Sequence, residues 1–361
     1  MKHASQLESV TFWLNKAAGS ETTRREYENR IKGFFEAANV NPDALVSEWE
    51  KIETYGQERR FLRKWTKKIE AYVYALEGYA PTTVMQELTI VVSFFKHHGI
   101  EVKPSRKKHV YVTYHNRDIT KEEIRRILER ASIRDKAFFL AMAESGLRPY
   151  TLVQLRYKHI KKDFEAGKVP MRIELPSKLL KDRVEARWTF VGQDGFKALK
   201  LYLDTRGKLY NDSLVFAPER SDLKHSFVSP ESFTKKFSNI AMKLGITERI
   251  EKGKPKDVRL YCLRKFFNDN LRYEGFNVAY REFWMCHKTT QTHYISRDPE
   301  KHREEYAVAY QNLRIYARSE EERLKERVKE IENFYKLEMD RGIVSLQKQI
   351  EQLRKEMQKD S

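Results

Sequence analysis

Four short stretches carry the side chains able to do chemistry. "ESGLRPYTLVQL" stops an apolar run, Ala137 to Ala143, at Gly146 and follows it with one arginine, Arg148. "SKLLKDR" holds Lys178, Lys181 and Arg183; "RLYCLRKFFNDNL" holds Tyr261, Arg264 and Lys265; "FWMCHKTTQTHYI" holds Cys286, His287, His293 and Tyr294. These types suit attack on a phosphodiester. Its oxygens are negative, so a pentacoordinate transition state needs fixed positive donors, and a guanidinium offers paired N–H donors that stay charged. Two such forks, Arg148 and Arg264, match two non-bridging oxygens. A lysine can lose a proton, so Lys178 suits protonation of a leaving 5′-oxygen. Tyr261 and His287 suit a hydrogen bond to the phosphate or help with proton transfer. A tyrosine hydroxyl suits the nucleophile, and a phosphotyrosyl link retains the bond energy, so neither ATP nor a metal is required.

Singly, each residue has a plainer role. Arg148 alone reads as a surface ion pair, Lys178 and Lys181 as charges of a turn, Tyr261 and Tyr294 as half-buried aromatics. The spacings C-H and H-x5-H around His287 and His293 match no structural zinc site, and no tight Asp/Glu cluster marks a metal-dependent nuclease; no metal or other cofactor is expected. Cys262 and Cys286 read as small buried apolar residues rather than a disulfide framework.

The chain around these residues has 361 positions, with 70 Lys and Arg against 52 Asp and Glu, a net charge of +18. That field calls for a polyanion, nucleic acid first; a Lys/Glu-rich surface of the kind found where growth is hot is the bland alternative. The longest apolar runs fall far short of the ~20 residues that a membrane span needs, and the opening "MKHASQLESV" has no apolar signal region, so a cytoplasmic protein is expected. Apolar residues at 40% are enough for real cores.

Residues 1–103 read as a helical domain with Lys and Arg outside. Ser20 and Thr22 open a helix with Tyr27, Ile31, Phe34 and Phe35 on one stripe, Pro81 opens another, and "QERRFLRKWTKKIEAYVYALEG" is basic on one side and aromatic on the other. Residues 104–118 read as a basic linker, with Arg106, Lys107 and Lys108 as DNA contacts and a weakly alternating, extended Val110–Tyr114. A second domain, 119–316, opens on a capping box, Thr120 with Glu123. Its "DKAFFLAMAESG" is apolar nearly all round and reads as a buried central helix. "MRIELPSKLLKDRVEARWTFV" alternates like two strands, with Met171, Ile173 and Leu175, then Val184, Trp188 and Phe190, joined by a short basic turn. Residues 317–361 lose Gly and Pro. Met339, Ile343, Leu346, Ile350, Leu353 and Met357 recur at steps of four and three, a coiled-coil seam for self-association. The fold class expected is mainly α with a small β-hairpin (α+β).

In order, the motifs resemble the tyrosine recombinases, the phage-integrase family: helix, Gly-Leu-Arg, amphipathic helix, basic hairpin, His/Tyr-x-x-Arg, His, and finally Tyr. The resemblance covers about residues 8 to 310. It implies a two-domain clamp on DNA and catalytic positions at Arg148, Lys178, Tyr261, Arg264, His287 and Tyr294, with Lys181, Arg183 and Lys265 as further DNA contacts. Three departures are visible. Thr151 replaces an acidic residue three positions after the first Arg, Cys286 replaces the Gly before the His, and the gap from His287 to Tyr294 is shorter by about two residues. The last keeps Tyr306 as a reserve nucleophile beside Tyr294. Such divergence is similar to that of integrases from archaeal viruses and plasmids.

The resemblance implies a site-specific recombinase that integrates or excises a mobile element through a 3′-phosphotyrosyl intermediate. It would act on double-stranded attachment sites as a tetramer, with an accessory DNA-bending protein as a further partner, near the nucleoid or in a host's cytoplasm. Two alternatives are a type IB topoisomerase-like enzyme, using the same chemistry to relax DNA, and a non-catalytic two-domain DNA-binding protein.

Overall fold

The computed structural model describes residues 7–105, 117–180, 184–185, 187–218, 228–248, 256–272, 276–288 and 295–316, together with isolated positions of the tail. Contacts divide the chain into two compact units, residues 1–115 and 116–361.

The first unit is helical: α1 (Glu8–Ala17), α2 (Glu21–Ala38), α3 (Pro42–Glu50), α4 (Tyr55–Ala75) and α5 (Pro81–His97). Three of these starts carry a side-chain cap. The Ser20 hydroxyl accepts from the Thr23 N–H, the Asn41 side chain accepts from Asp43 and Ala44, and Thr54 and Gln57 close a capping box; each satisfies orphan amides that would otherwise cost stability. Trp13, Phe34, Trp65, Phe94 and Phe95 fill the core, with edge-to-face pairs such as Phe35 on Phe94 at 5.0 Å. The opposite side of α4 leaves Arg59, Arg60, Arg63 and Lys67 exposed.

The second unit carries α6 (Lys121–Arg130), α7 (Ile133–Ser145), α8 (Pro149–Val153), α9 (Lys161–Glu165), β1 (Met171–Leu175), β2 (Arg187–Val191), α10 (Gln193–Asp204), α11 (Pro230–Lys243), α12 (Cys262–Asn270), α13 (Val278–Trp284) and α14 (Pro299–Leu313). The expected capping box forms at Thr120 and Glu123. Helix α7 is buried over most of its length and is the axis of the unit, packed by α10, α12, β2 and α14. Strands β1 and β2 are antiparallel with Ile173 opposite Thr189. Among the described residues the molecule is therefore mainly helical with one small sheet. The link between the strands is longer than the short turn expected: β2 begins only at Arg187, so Val184 lies outside it, and Ser177–Leu179 form a 3-10 turn just after β1. The Ser177 hydroxyl donates to the Val184 carbonyl at 2.6 Å and braces this link.

A polar knot ties α14 to α7. The Tyr310 hydroxyl donates to the Glu144 carboxylate at 3.1 Å, the Gly195 N–H donates to the same carboxylate at 3.0 Å, and the Asp194 carboxylate accepts from the Ile315 and Tyr316 amides at 3.0 Å. Burial and the neighbouring Asp194 push the Glu144 carboxyl well above its ordinary range. Among the described residues no helix is long and apolar enough to cross a membrane. Of the tail's apolar series, Leu324, Val328, Tyr335, Met339 and Ile343 are described, all helical and exposed; the remaining seam positions lie outside the described residues, as does Val110–Tyr114.

Candidate active site

Two helix ends build the site. Helix α7 stops because Gly146 takes a left-handed conformation, φ 65°, which glycine adopts without the Cβ penalty. There is no room for a Cβ: it would run into the Phe267 ring of α12. Leu147 then buries itself and Arg148 caps α8, whose first residue is Pro149. The arginine is thereby fixed between a buried anchor and a preset helix start. It is half-buried, and its charge acts on Arg264, His287 and Cys286.

Helix α13 ends by the same device. The Cys286 N–H bonds the Phe283 carbonyl at 2.9 Å and the His287 N–H bonds the Glu282 carbonyl at 3.0 Å, the paired bonds of a Schellman close. Cys286 takes the left-handed position with φ 55°. A non-glycine residue there costs on the order of 1–2 kcal/mol. Cys286 thus holds a backbone conformation that glycine adopts without strain.

Arg264 joins the two ends. It is 3% exposed on α12. Its Nη1 donates to the Gly146 carbonyl; its Nη2 donates to the Met285 carbonyl at 2.9 Å and to His287 Nε2 at 2.7 Å. Burial, then the charge of Arg148, lowers its pKa to about 10; it remains a cation at neutral pH. His287 Nδ1 faces Glu282 Oε2 at 2.7 Å, and Glu282 is held on its other oxygen by Arg281 at 3.1 Å. Below them Arg187 of β2 is buried over the Phe283 ring, 5.1 Å from its centroid, and donates to the His287 carbonyl at 2.8 Å.

Arg148, Arg264 and His287 are therefore brought together. Lys178 is exposed on the 3-10 turn, in the wall of a cleft of about 680 Å³ that Lys158, Arg172 and Trp188 also line. Thr151 bears on this turn: it is buried, and its hydroxyl reaches the Leu179 carbonyl at 3.5 Å, the limit of a hydrogen bond. Tyr261 caps α12 with its ring 46% exposed. Lys265 pairs with Asp118 at 2.5 Å. Tyr294, Arg106, Lys107, Lys108, Lys181 and Arg183 lie outside the described residues. Tyr306, kept in reserve as nucleophile, is a core residue instead: it is 0% exposed, its hydroxyl donates to the Glu144 carbonyl at 2.7 Å, and burial pushes its pKa well above the ordinary value. A hydroxyl so enclosed has no route to a phosphate without unpacking α14.

Glu282 and Arg187 have no counterpart among the residues read from the sequence. Glu282 lies five positions before His287 and carries no motif signal; Arg187 reads as one more charge in a basic stretch.

The Phage integrase family model matches residues 117–298. A lambda integrase tetramer bound to a Holliday junction is 14% identical, with 81% of this chain and 79% of that chain covered at a TM-score of 0.53. The Tn1549 transposon integrase in complex with transposon right end DNA is 10% identical, with coverage of 89% and 98% and a TM-score of 0.51. The XerA recombinase is 20% identical, with coverage of 83% and 97% and a TM-score of 0.37. No curated protein matches the sequence. With the two-arginine centre described above and a family model spanning half of the chain, the protein belongs to the phage integrase family and is a site-specific tyrosine recombinase.

Proposed function

We propose that this recombinase cleaves and rejoins double-stranded DNA through a 3′-phosphotyrosyl intermediate at Tyr294, integrating or excising a mobile element. The single observation that supports it most is the convergence of Arg148, Arg264 and His287 on the paired ends of α7 and α13. Three of the five N–H donors of Arg264 are engaged by described residues, which fixes its plane and leaves two for a phosphate. Arg148 supplies the second fork. As the Tyr294 oxygen bonds to phosphorus, charge grows on the non-bridging oxygens, where preorganised guanidinium donors are worth most. Lys178 gives the leaving 5′-oxygen its proton, and Tyr261 supports the phosphate from the start of α12. Rejoining reverses the steps. Arg106, Lys107, Lys108, Lys181, Arg183 and Lys265 contact the backbone in keeping with the net charge of +18.

Two solved integrases of similar fold are bound to DNA, one of them as a tetramer on a Holliday junction; by that likeness this chain assembles as a tetramer on paired sites. The domains divide the work as a DNA-binding unit to residue 103, a linker, a catalytic unit from 119 to 316, and a tail that associates. The test uses nicked suicide duplexes bearing candidate attachment sites, in EDTA, resolved on denaturing gels and, in parallel, in native synapsis gels. A covalent adduct with paired-site complexes is expected. An adduct with plasmid relaxation but no synapsis would assign the chain to topoisomerase-like action, and binding without any adduct would make it a non-catalytic DNA-binding protein.

A further inference from the structure

We infer that Glu282 is a positioning residue for His287, fixing its tautomer and stabilising the imidazolium when Nε2 takes up a proton. The inference rests on the phosphoryl-transfer reading above, and it begins from hydrogen-bond bookkeeping at one ring. A guanidinium can only donate. Arg264 Nη2 lies 2.7 Å from His287 Nε2, so Nε2 accepts. A neutral imidazole carries one N–H, which must then be at Nδ1, and Glu282 Oε2 lies 2.7 Å from that nitrogen. The carboxylate accepts from it. The same two residues are joined a second time through the backbone, where the His287 N–H closes on the Glu282 carbonyl. Ring orientation and helix end are thus set by one glutamate.

The charges around the ring explain why a carboxylate is needed. Arg264 faces it from α12 and Arg148 from the turn between α7 and α8; Arg187 of β2 holds its carbonyl; the buried Cys286 thiol precedes it, and Lys288 follows. Glu282 is the one carboxylate in this set, 19% exposed. Burial pulls His287 below its ordinary pKa, with both arginines adding to this, and Glu282 opposes them. Glu282 itself, although partly buried, is held below the usual carboxylate range by its bonds to His287 and Arg281. At neutral pH the pair is therefore a neutral Nδ1–H imidazole on an ionised carboxylate. When the nucleophilic tyrosine forms its bond to phosphorus, its O–H proton can pass to the Nε2 lone pair as the Arg264 Nη2–H lets go of it, the guanidinium staying held by the Gly146 and Met285 carbonyls. The new cation then sits against Glu282. On rejoining, the proton returns to the phenolate oxygen.

Two readouts test this on the full-length protein. The first needs no activity: ¹⁵N-histidine NMR without DNA, with His287→Ala identifying the signal. The Nδ1–H form is expected at pH 7. Glu282→Gln should preserve the tautomer, because the amide oxygen still accepts, but lower the His287 titration by about one pH unit or more, the scale for a nearby opposite charge. The second is single-turnover cleavage of a suicide duplex. Glu282→Gln should slow it about tenfold or more, a part of the 10²–10⁴ that a general acid–base group contributes in full, and shift the acid limb to lower pH. DNA affinity should be unchanged, and no further loss should appear in the His287→Ala background. An unmoved titration, or equal slowing with and without His287, overturns the role of Glu282 while wild-type adduct formation still supports the recombinase mechanism. No adduct from the wild-type protein on any duplex overturns that mechanism, and the catalytic half of this inference with it.

Discussion

Arg264 has a job beyond its charge. Buried among the carbonyls of Gly146 and Met285 and the ring of His287, it is both the positive group and the joint that holds the site closed. Arg264→Ala should reduce the cleavage rate by about 10²–10³-fold or more, the loss seen on removing a preorganised donor. Arg264→Lys should recover little, because an ammonium cannot span two carbonyls and a phosphate at fixed angles. Single-turnover rates, taken on protein whose thermal unfolding is unchanged, check this; a near-wild-type rate in the lysine variant would show that charge alone suffices. Tyr306 makes the opposite case. Tyr306→Phe should keep full adduct formation while costing about 1–3 kcal/mol of stability in denaturant melts, since it leaves the buried Glu144 carbonyl unpaired. Loss of the adduct would return Tyr306 to the chemistry.

At the scale of elements, the site depends on helix ends more than on helices. Gly146→Ala should be severe for two separate reasons, the left-handed backbone and the Phe267 ring that fills the space a Cβ needs. Cys286→Gly should be mild, since it relieves the same backbone strain and leaves the His287 closure intact. Cleavage rates and melting curves of the two variants give the comparison; a harmless Gly146→Ala would remove the geometric reason for a glycine before Arg148. Much of this was legible in the sequence. An apolar run stopping at Gly-Leu-Arg dictates a buried helix, a turn and an anchored arginine, and alternation at Met171, Ile173 and Leu175 dictates a strand. Glu282 and Arg187 were not legible, because what makes them matter is contact with a ring and a carbonyl that only the folded chain brings near. Cys286 is intermediate: its departure from glycine was visible, but its conformation is imposed by the helix closure rather than by the residue's own preference. The length of the strand connection was missed for a related reason. Val184 satisfies an alternating pattern, yet the link is braced from Ser177 and β2 starts three residues later.

At the scale of the molecule, the charge and the tail matter most. Exposed arginines along α4 and the net charge of +18 imply DNA affinity that falls steeply with salt, by about 0.9 log units per log unit of salt for each phosphate neutralised. A flat dependence in fluorescence anisotropy would contradict a backbone-dominated interface. In the tail, Leu324, Val328, Tyr335, Met339 and Ile343 are helical and exposed, an apolar series with reason to pair with another helix. Truncation from about residue 318 should leave folded protein that binds a single site but forms far fewer paired-site complexes. Light scattering and native gels on both forms would show it, and identical stoichiometry would make the tail a solvated appendage. The central claim, that the arginine pair serves a tyrosine nucleophile, is tested most directly by the chemical identity of the DNA-linked residue. Trapping the adduct on a suicide duplex, digesting protein and DNA, and sequencing the modified peptide by mass spectrometry should return a phosphotyrosine at Tyr294, absent from Tyr294→Phe. A nucleotide on any other residue, or an adduct that persists in Tyr294→Phe, would contradict it.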